Sequence, residues 1–168
     1  TDYQNLNTLK KLVKNNFKFL KVGPELTHYL LKSLFLMEQF ENEYIIEKNR
    51  SLFKHKLIKE VLSNKTHWKK YYDEKDSTVV EQILKGKLDR ARYYLNTTKV
   101  NRSIKLLEKN INLAKKTRII HFLNSKKILY KLDDIKNYKL NNFEFLNFIL
   151  LKDTLFKYFK ACNFKLTN

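Results

Sequence analysis

Residues 17–24 read Phe-Lys-Phe-Leu-Lys-Val-Gly-Pro, and the fold class turns on how they are interpreted. Apolar and lysine side chains largely alternate over 17–22, the run is rich in aromatics, and Gly23-Pro24 stops it. Alternation sends successive side chains to opposite faces of extended backbone, so 17–22 is predicted as a β-strand. Before it, residues 5–16 carry Leu6, Leu9, Leu12 and Val13 at helical spacing, with Asn5 or Asn7 available as N-cap. After it, Pro24 suits the entry to a helix. Over 25–46 the set Leu26, Leu30, Leu31, Leu34, Phe35, Met37, Phe40 and Tyr44 makes the broad apolar stripe of a long, well-buried helix. Helix, strand, turn and helix in succession form a unit of α/β type. A lone strand leaves its ladder N–H and C=O groups unpaired, so this one is expected to find neighbours upstream of Thr1 or in a partner.

Beyond Asn49 the pattern is helical only, with segments predicted at 50–63, 67–72, 77–85, 88–95, 99–115, 118–123 and 143–162. Only two glycines, Gly23 and Gly86, and one proline occur. Antiparallel sandwiches need far more turn residues, so the chain is predicted to be mainly α. Hydrophobic residues at 43% and aromatics at 14% exclude a disordered tail. The change near 47–50 divides the chain into an α/β piece, 1–48, and a helical extension, 49–168.

Lys and Arg number 35 against 17 Asp and Glu, a net charge of +18. Such a balance suits nucleic acid, an anionic membrane surface or a phosphorylated substrate. It also suits the codon usage of an AT-rich genome, because lysine is spread over almost every predicted helix instead of being clustered. No run of about 18 apolar residues is present, so no membrane span is expected. The single Cys162 cannot close an internal disulfide, which fits a reducing cytoplasm. Residues 1–4 carry no signal-peptide pattern and no initiator Met, and sequence is expected upstream of them.

Several stretches, taken in order, carry a resemblance. These are Thr1-Asp2-Tyr3-Gln4, then Leu9, Leu12 and Val13, then the run from Phe19 through Val22-Gly23-Pro24-Glu25 to Thr27. Farther on come Leu34-Phe35, Glu41-Asn42-Glu43, His67-Trp68 with Tyr71-Tyr72, Asp89-Arg90-Ala91-Arg92-Tyr93-Tyr94, and Tyr158 with Ala161-Cys162. In this order and spacing they resemble the non-catalytic Z-type subunit of bacterial class II tagatose-bisphosphate aldolase, in its C-terminal portion. The chain departs from that pattern at Leu95, where a Trp is expected, at Leu88, where a Ser is expected, and over 124–132, which lack an expected Pro and Gln.

The resemblance implies the end of a TIM-type (β/α)8 barrel. Residues 1–4 would close the seventh strand, 17–22 would form the eighth and 25–46 the last barrel helix, followed by the helical extension. It implies an accessory subunit supporting the activity and stability of a catalytic class II aldolase subunit, in galactitol- or N-acetylgalactosamine-type sugar catabolism. The zinc of that reaction is expected in the catalytic partner, with no cofactor in this chain, and the location implied is cytoplasmic. Two alternatives stand beside it: a basic helical nucleic-acid-binding module, and a sugar-phosphate kinase or aldolase in its own right. No glycine-rich phosphate loop supports the kinase.

TIM barrels keep their ligand chemistry at the C-terminal ends of the strands. Through the resemblance, Asp2, Gln4, Lys21 and Gly23, with Tyr3 and Thr27 beside them, become candidates to face a sugar phosphate. Lys21 would supply charge, and Gly23 would allow close approach of backbone N–H groups. Alternatively, Lys21 pairs with a carboxylate and Gly23-Pro24 merely turns the chain. His28, His55, His67 and His121 show no i, i+4 pair and no nearby Cys, so they read as scattered surface or interface residues and no metal is expected here. Trp68, Tyr71, Tyr72, Tyr93 and Tyr94 sit beside Lys69, Lys70, Arg90 and Arg92. Such interleaving can stack and neutralise nucleic acid, or build packing and a helix interface.

Overall fold

A computed structural model describes residues 1–131 and 139–163. Among them lie seven α-helices: α1 Leu6–Lys14, α2 Pro24–Tyr44, α3 Phe53–Ser63, α4 Val79–Lys85, α5 Thr98–Leu113, α6 Lys116–Ser125 and α7 Asn142–Ala161. No strand occurs among the described residues, and the mainly helical class read from composition holds. No helix there is long and apolar enough to cross a membrane.

Helix α2 is the central post. Its stripe buries Leu31, Leu34, Met37 and Phe40 against α7, α5 and α3, where Phe145, Leu107 and Leu57 close the core. Phe40 meets Phe122 of α6 edge-on, with ring centroids 5.4 Å apart. Burying one such side chain contributes about 2 kcal/mol, which explains why a 21-residue helix holds without strong local capping.

The predicted strand at 17–22 is absent. Asn16 closes α1 in the left-handed region, at φ 63°, with its N–H bonded to the Val13 carbonyl and the Phe17 N–H to that of Leu12. That arrangement is a helix C-cap, and the chain leaves it with no regular element until Pro24. A ladder needs neighbouring backbone, and no described residue supplies one. Phe17 and Phe19 are accordingly 58% and 90% exposed, while Leu20 and Val22 lean on a small cluster of Leu9, Tyr158 and Ala161.

Three other segments also depart from the predicted helices. Residues 67–72 form turns, because the Trp68 ring is buried and its Nε1–H donates to the Val61 carbonyl at 2.8 Å. Residues Arg90–Tyr94 coil as a five-residue 3-10 helix behind the left-handed Asp89, φ 48°. The predicted 99–115 helix stops at Leu113, where the Asn142 amide donates to the carbonyls of Ile111 and Ala114. By contrast, local signals placed other ends well. Asn5 caps α1 by accepting from the Thr8 N–H, and Asn141 with Glu144 forms a reciprocal capping box on α7.

Candidate functional site

Polar side chains gather where the N-terminal segment, the start of α2 and the end of α7 meet. Pro24 opens α2 at its first position, and an acid in the first turn is favoured by the N-terminal dipole. Glu25 is that acid and is buried. Its carboxylate accepts from the Tyr3 N–H at 2.8 Å and from Lys157 Nζ at 2.5 Å. The Tyr158 hydroxyl lies 2.8 Å from Glu25 Oε2 and equally far from the Thr1 carbonyl. Burial pushes the Glu25 carboxyl up, but the hydrogen bonds from Lys157, Tyr3 and Tyr158 outweigh it and hold the group below its ordinary value. Tyr158 moves the other way, raised by burial and then by its bond to the Glu25 carboxylate.

Asp2 completes the cluster. Its Oδ1 accepts from the Gly23 N–H at 2.9 Å and the Glu25 N–H at 2.8 Å, so a side chain more than twenty positions upstream supplies the cap that Gly23 cannot. Partial burial raises its pKa, while these two bonds lower it further, and the net shift is downward. The N–H groups at a helix start are the usual seat of a bound anion. Here a carboxylate of the chain itself occupies two of them.

The candidates read from the sequence therefore separate into two groups. Asp2, Tyr3, Gly23 and Thr27 converge at the start of α2. Gln4 and Lys21 are exposed, and the Lys21 carbonyl accepts from the Thr1 hydroxyl. Sequence reasoning missed Glu25, Lys157 and Tyr158 as members. The acid following Pro24 was a usable signal for Glu25, whereas nothing local marks Lys157.

A second group lies beside the first. Asp89 is buried, accepts from the Thr27 hydroxyl, and sits 3.6 Å from Arg92 Nη1. Burial raises its carboxyl above the ordinary range, against the Thr27 bond and the Arg92 charge, and its Oδ1 has no partner. Above it the Arg90 guanidinium lies 3.5 Å from the Tyr71 ring centroid. Tyr93 stacks on His67 at 4.7 Å, with planes 16° apart, while Arg92 approaches its ring at 4.5 Å and donates to its hydroxyl at 2.7 Å. Tyr94 is buried, meets His67 edge-on at 5.5 Å between ring centroids, and donates its hydroxyl to the Asn64 carbonyl. A cavity of about 590 Å³ opens between Arg92, Tyr93, Thr27 and Phe143.

His28 is buried, and burial and then the Lys32 charge keep it neutral-leaning; its Nδ1 has no partner. His55 and His121 are exposed on separate helices. Among the described residues no three His, Cys, Asp or Glu side chains are gathered as a metal site requires.

Comparison with known proteins adds a family. Residues 1–163 match the family described as D-tagatose-1,6-bisphosphate aldolase subunit GatZ/KbaZ-like. The chain is 36% identical over 115 residues to the D-tagatose-1,6-bisphosphate aldolase subunit GatZ of Klebsiella pneumoniae subsp. pneumoniae, covering 68% of this chain and 27% of that protein. To the GatZ subunit of Salmonella newport it is 35% identical over 112 residues, 67% of this chain and 26% of that protein. The chain thus spans about a quarter of the length of the curated relatives it matches. Among solved structures it is similar to a probable tagatose 6 phosphate kinase from Sinorhizobium meliloti 1021. That match has TM-score 0.74 and 25% identity, over 96% of this chain and 41% of that one.

Proposed function

Because this chain belongs to the GatZ/KbaZ-like family of D-tagatose-1,6-bisphosphate aldolase subunits, we propose that it works as an accessory, non-catalytic part of that aldolase. It supports the activity and stability of a separate class II catalytic subunit, which carries the zinc, in the cytoplasm. The observation that carries this reading is the family match over residues 1–163. The chemistry of the polar cluster is in keeping with it. Asp2 Oδ1 and both oxygens of Glu25 are engaged in hydrogen bonds that tie the chain together.

The same reading takes residues 1–48 as the last strand–helix units of a TIM-type barrel and 49–168 as its helical extension. Support comes from the bare Phe17 and Phe19 side chains, an apolar ledge of the kind a neighbouring stave covers. In that setting Asp2, Gln4, Lys21 and Gly23 lie toward the barrel mouth, where a sugar phosphate is the candidate ligand. The likeness to a probable tagatose 6 phosphate kinase is not accompanied by a phosphate-binding loop among the described residues. The two glycines are far apart in sequence and build no phosphate loop.

The test is reconstitution. The full-length subunit is added to the catalytic aldolase subunit of the same organism, and the rate of tagatose-bisphosphate cleavage and the half-life of activity are followed. A rise in either is expected. Equal rate and equal half-life with and without it would overturn the accessory role.

A further inference from the structure

We infer that the cavity between α2, α5 and the start of α7 binds an uncharged, hydroxyl-rich small molecule, a monosaccharide or a sugar alcohol. This goes beyond the accessory role and does not depend on it. The cavity measures about 590 Å³, and sites for small molecules span about 300–1,000 Å³. Leu30 and Leu34 of α2, Ile104 of α5 and Phe143 in the first turn of α7 give it apolar walls. Such walls with a few convergent polar groups are the usual make-up of a small-molecule site, the apolar part holding the carbon skeleton and the polar part fixing its orientation.

The polar groups select the ligand. Asn96 and Asn101 line the cavity, and among the described residues neither carboxamide meets a hydrogen-bond partner. Each offers two N–H donors and an acceptor oxygen. The Tyr93 hydroxyl accepts from Arg92, so its own O–H is left to donate. Thr27 gives its hydroxyl hydrogen to Asp89, which leaves a lone pair on the oxygen. Donors and acceptors are thus mixed, as ligand hydroxyls require, since each both gives and takes a hydrogen bond. Arg92 is the one charged residue of the lining, and its guanidinium is already answered by the Asp89 carboxylate at 3.6 Å and bound to the Tyr93 hydroxyl. A phosphate needs cationic donors free of such partners, so the cavity favours an unphosphorylated sugar.

The experiment titrates D-tagatose and galactitol, separately, into the full-length subunit and reads affinity from saturation transfer to the sugar protons by NMR. The unaltered protein is compared with Asn96→Ala combined with Asn101→Ala, and with Asn42→Ala, which changes a different cavity of about 530 Å³. At least one sugar is expected to bind the unaltered protein. The double variant is expected to lose affinity by at least about tenfold, as its hydrogen bonds to the sugar disappear, and Asn42→Ala to stay within about twofold. Failure of both sugars to bind overturns the inference, as does equal affinity in the double variant or an equal loss in Asn42→Ala. Both carboxamides lack partners and alanine suits the helix at 101, so Tm is expected to hold in the double variant. A fall in Tm would show that these side chains hold the fold together, and also overturns the inference. Tagatose 1,6-bisphosphate is titrated in parallel, and loss of its affinity in the double variant would mark an anion site and overturn the uncharged class. The accessory role is untouched by any of these results, because reconstitution tests it separately.

Discussion

Lys157 Nζ lies 2.5 Å from Glu25 Oε1, joining the end of α7 to the first turn of α2 across 132 positions of sequence. Both groups are largely withdrawn from water, so removing one partner leaves the other charged without compensation. Lys157→Met is expected to destabilise the chain by about 2–4 kcal/mol, read as a lower urea midpoint at unchanged slope. A loss below about 0.5 kcal/mol would mean that the pair is solvated and contributes little.

Asp2 gives a pH signature. Its folded-state pKa lies below the ordinary 3.8, so its contribution is present above 3.8 and disappears as pH falls through the folded value. Asp2→Ala should be less stable by about 1 kcal/mol near neutrality, the usual worth of a helix cap. The gap to the unaltered protein should close on acidification. Thermal melts at pH 7 and at pH 3 or below check both statements, and a gap that widens in acid would contradict the capping role.

Asp89 runs the opposite way. Burial raises its pKa above 3.8 in the folded chain, so folding favours its protonated form. Its contribution is most favourable at low pH and is lost as pH rises through the folded value. Asn keeps both a left-handed backbone and an acceptor for Thr27. Asp89→Asn is therefore expected to fold and to flatten the stability profile between pH 4 and neutrality, whereas Asp89→Leu should lower Tm at every pH.

Gly86 has no room for a side chain, since a Cβ there would lie 2.3 Å from the Gln82 carbonyl oxygen and 3.0 Å from the Tyr72 hydroxyl. Gly86→Ala should cost about 1–3 kcal/mol, because the oxygen belongs to backbone and cannot swing aside. Differential scanning calorimetry reads this directly. An unchanged Tm would mean that the α4 C-terminus shifts freely.

Leu52 holds φ 54° at the N-cap of α3, a backbone region costly for a branched apolar residue, and its side chain is exposed. Gly relieves that cost and is a better N-cap. Leu52→Gly is expected to stabilise by about 0.5–1 kcal/mol, seen as a higher urea midpoint.

Much of the helical scaffold was legible because its signals are local. The 25–46 stripe became α2, Pro24 took the first helical position, and Asn5 capped α1 as its spacing implied. The failures share a cause. The 17–22 alternation is a β pattern, but a strand exists only where another backbone completes its ladder. The 67–72 stretch has aromatics at helical spacing, but burying Trp68 under the Val61 carbonyl bends it into turns. The Glu25 cluster was invisible because Lys157 and Tyr158 carry no mark of a carboxylate so far away in the chain.

What the sequence alone determined is what near neighbours and composition control: a mainly helical chain, a strong positive charge, the ends of several helices, and a family recognisable from ordered motifs. Only the tertiary structure decided that Asp2 caps α2, that Glu25 answers Lys157, and that guanidinium groups cover the rings of Tyr71 and Tyr93. Helix periodicity reports on residues three or four apart, whereas these contacts exist only after apolar burial has drawn distant segments together.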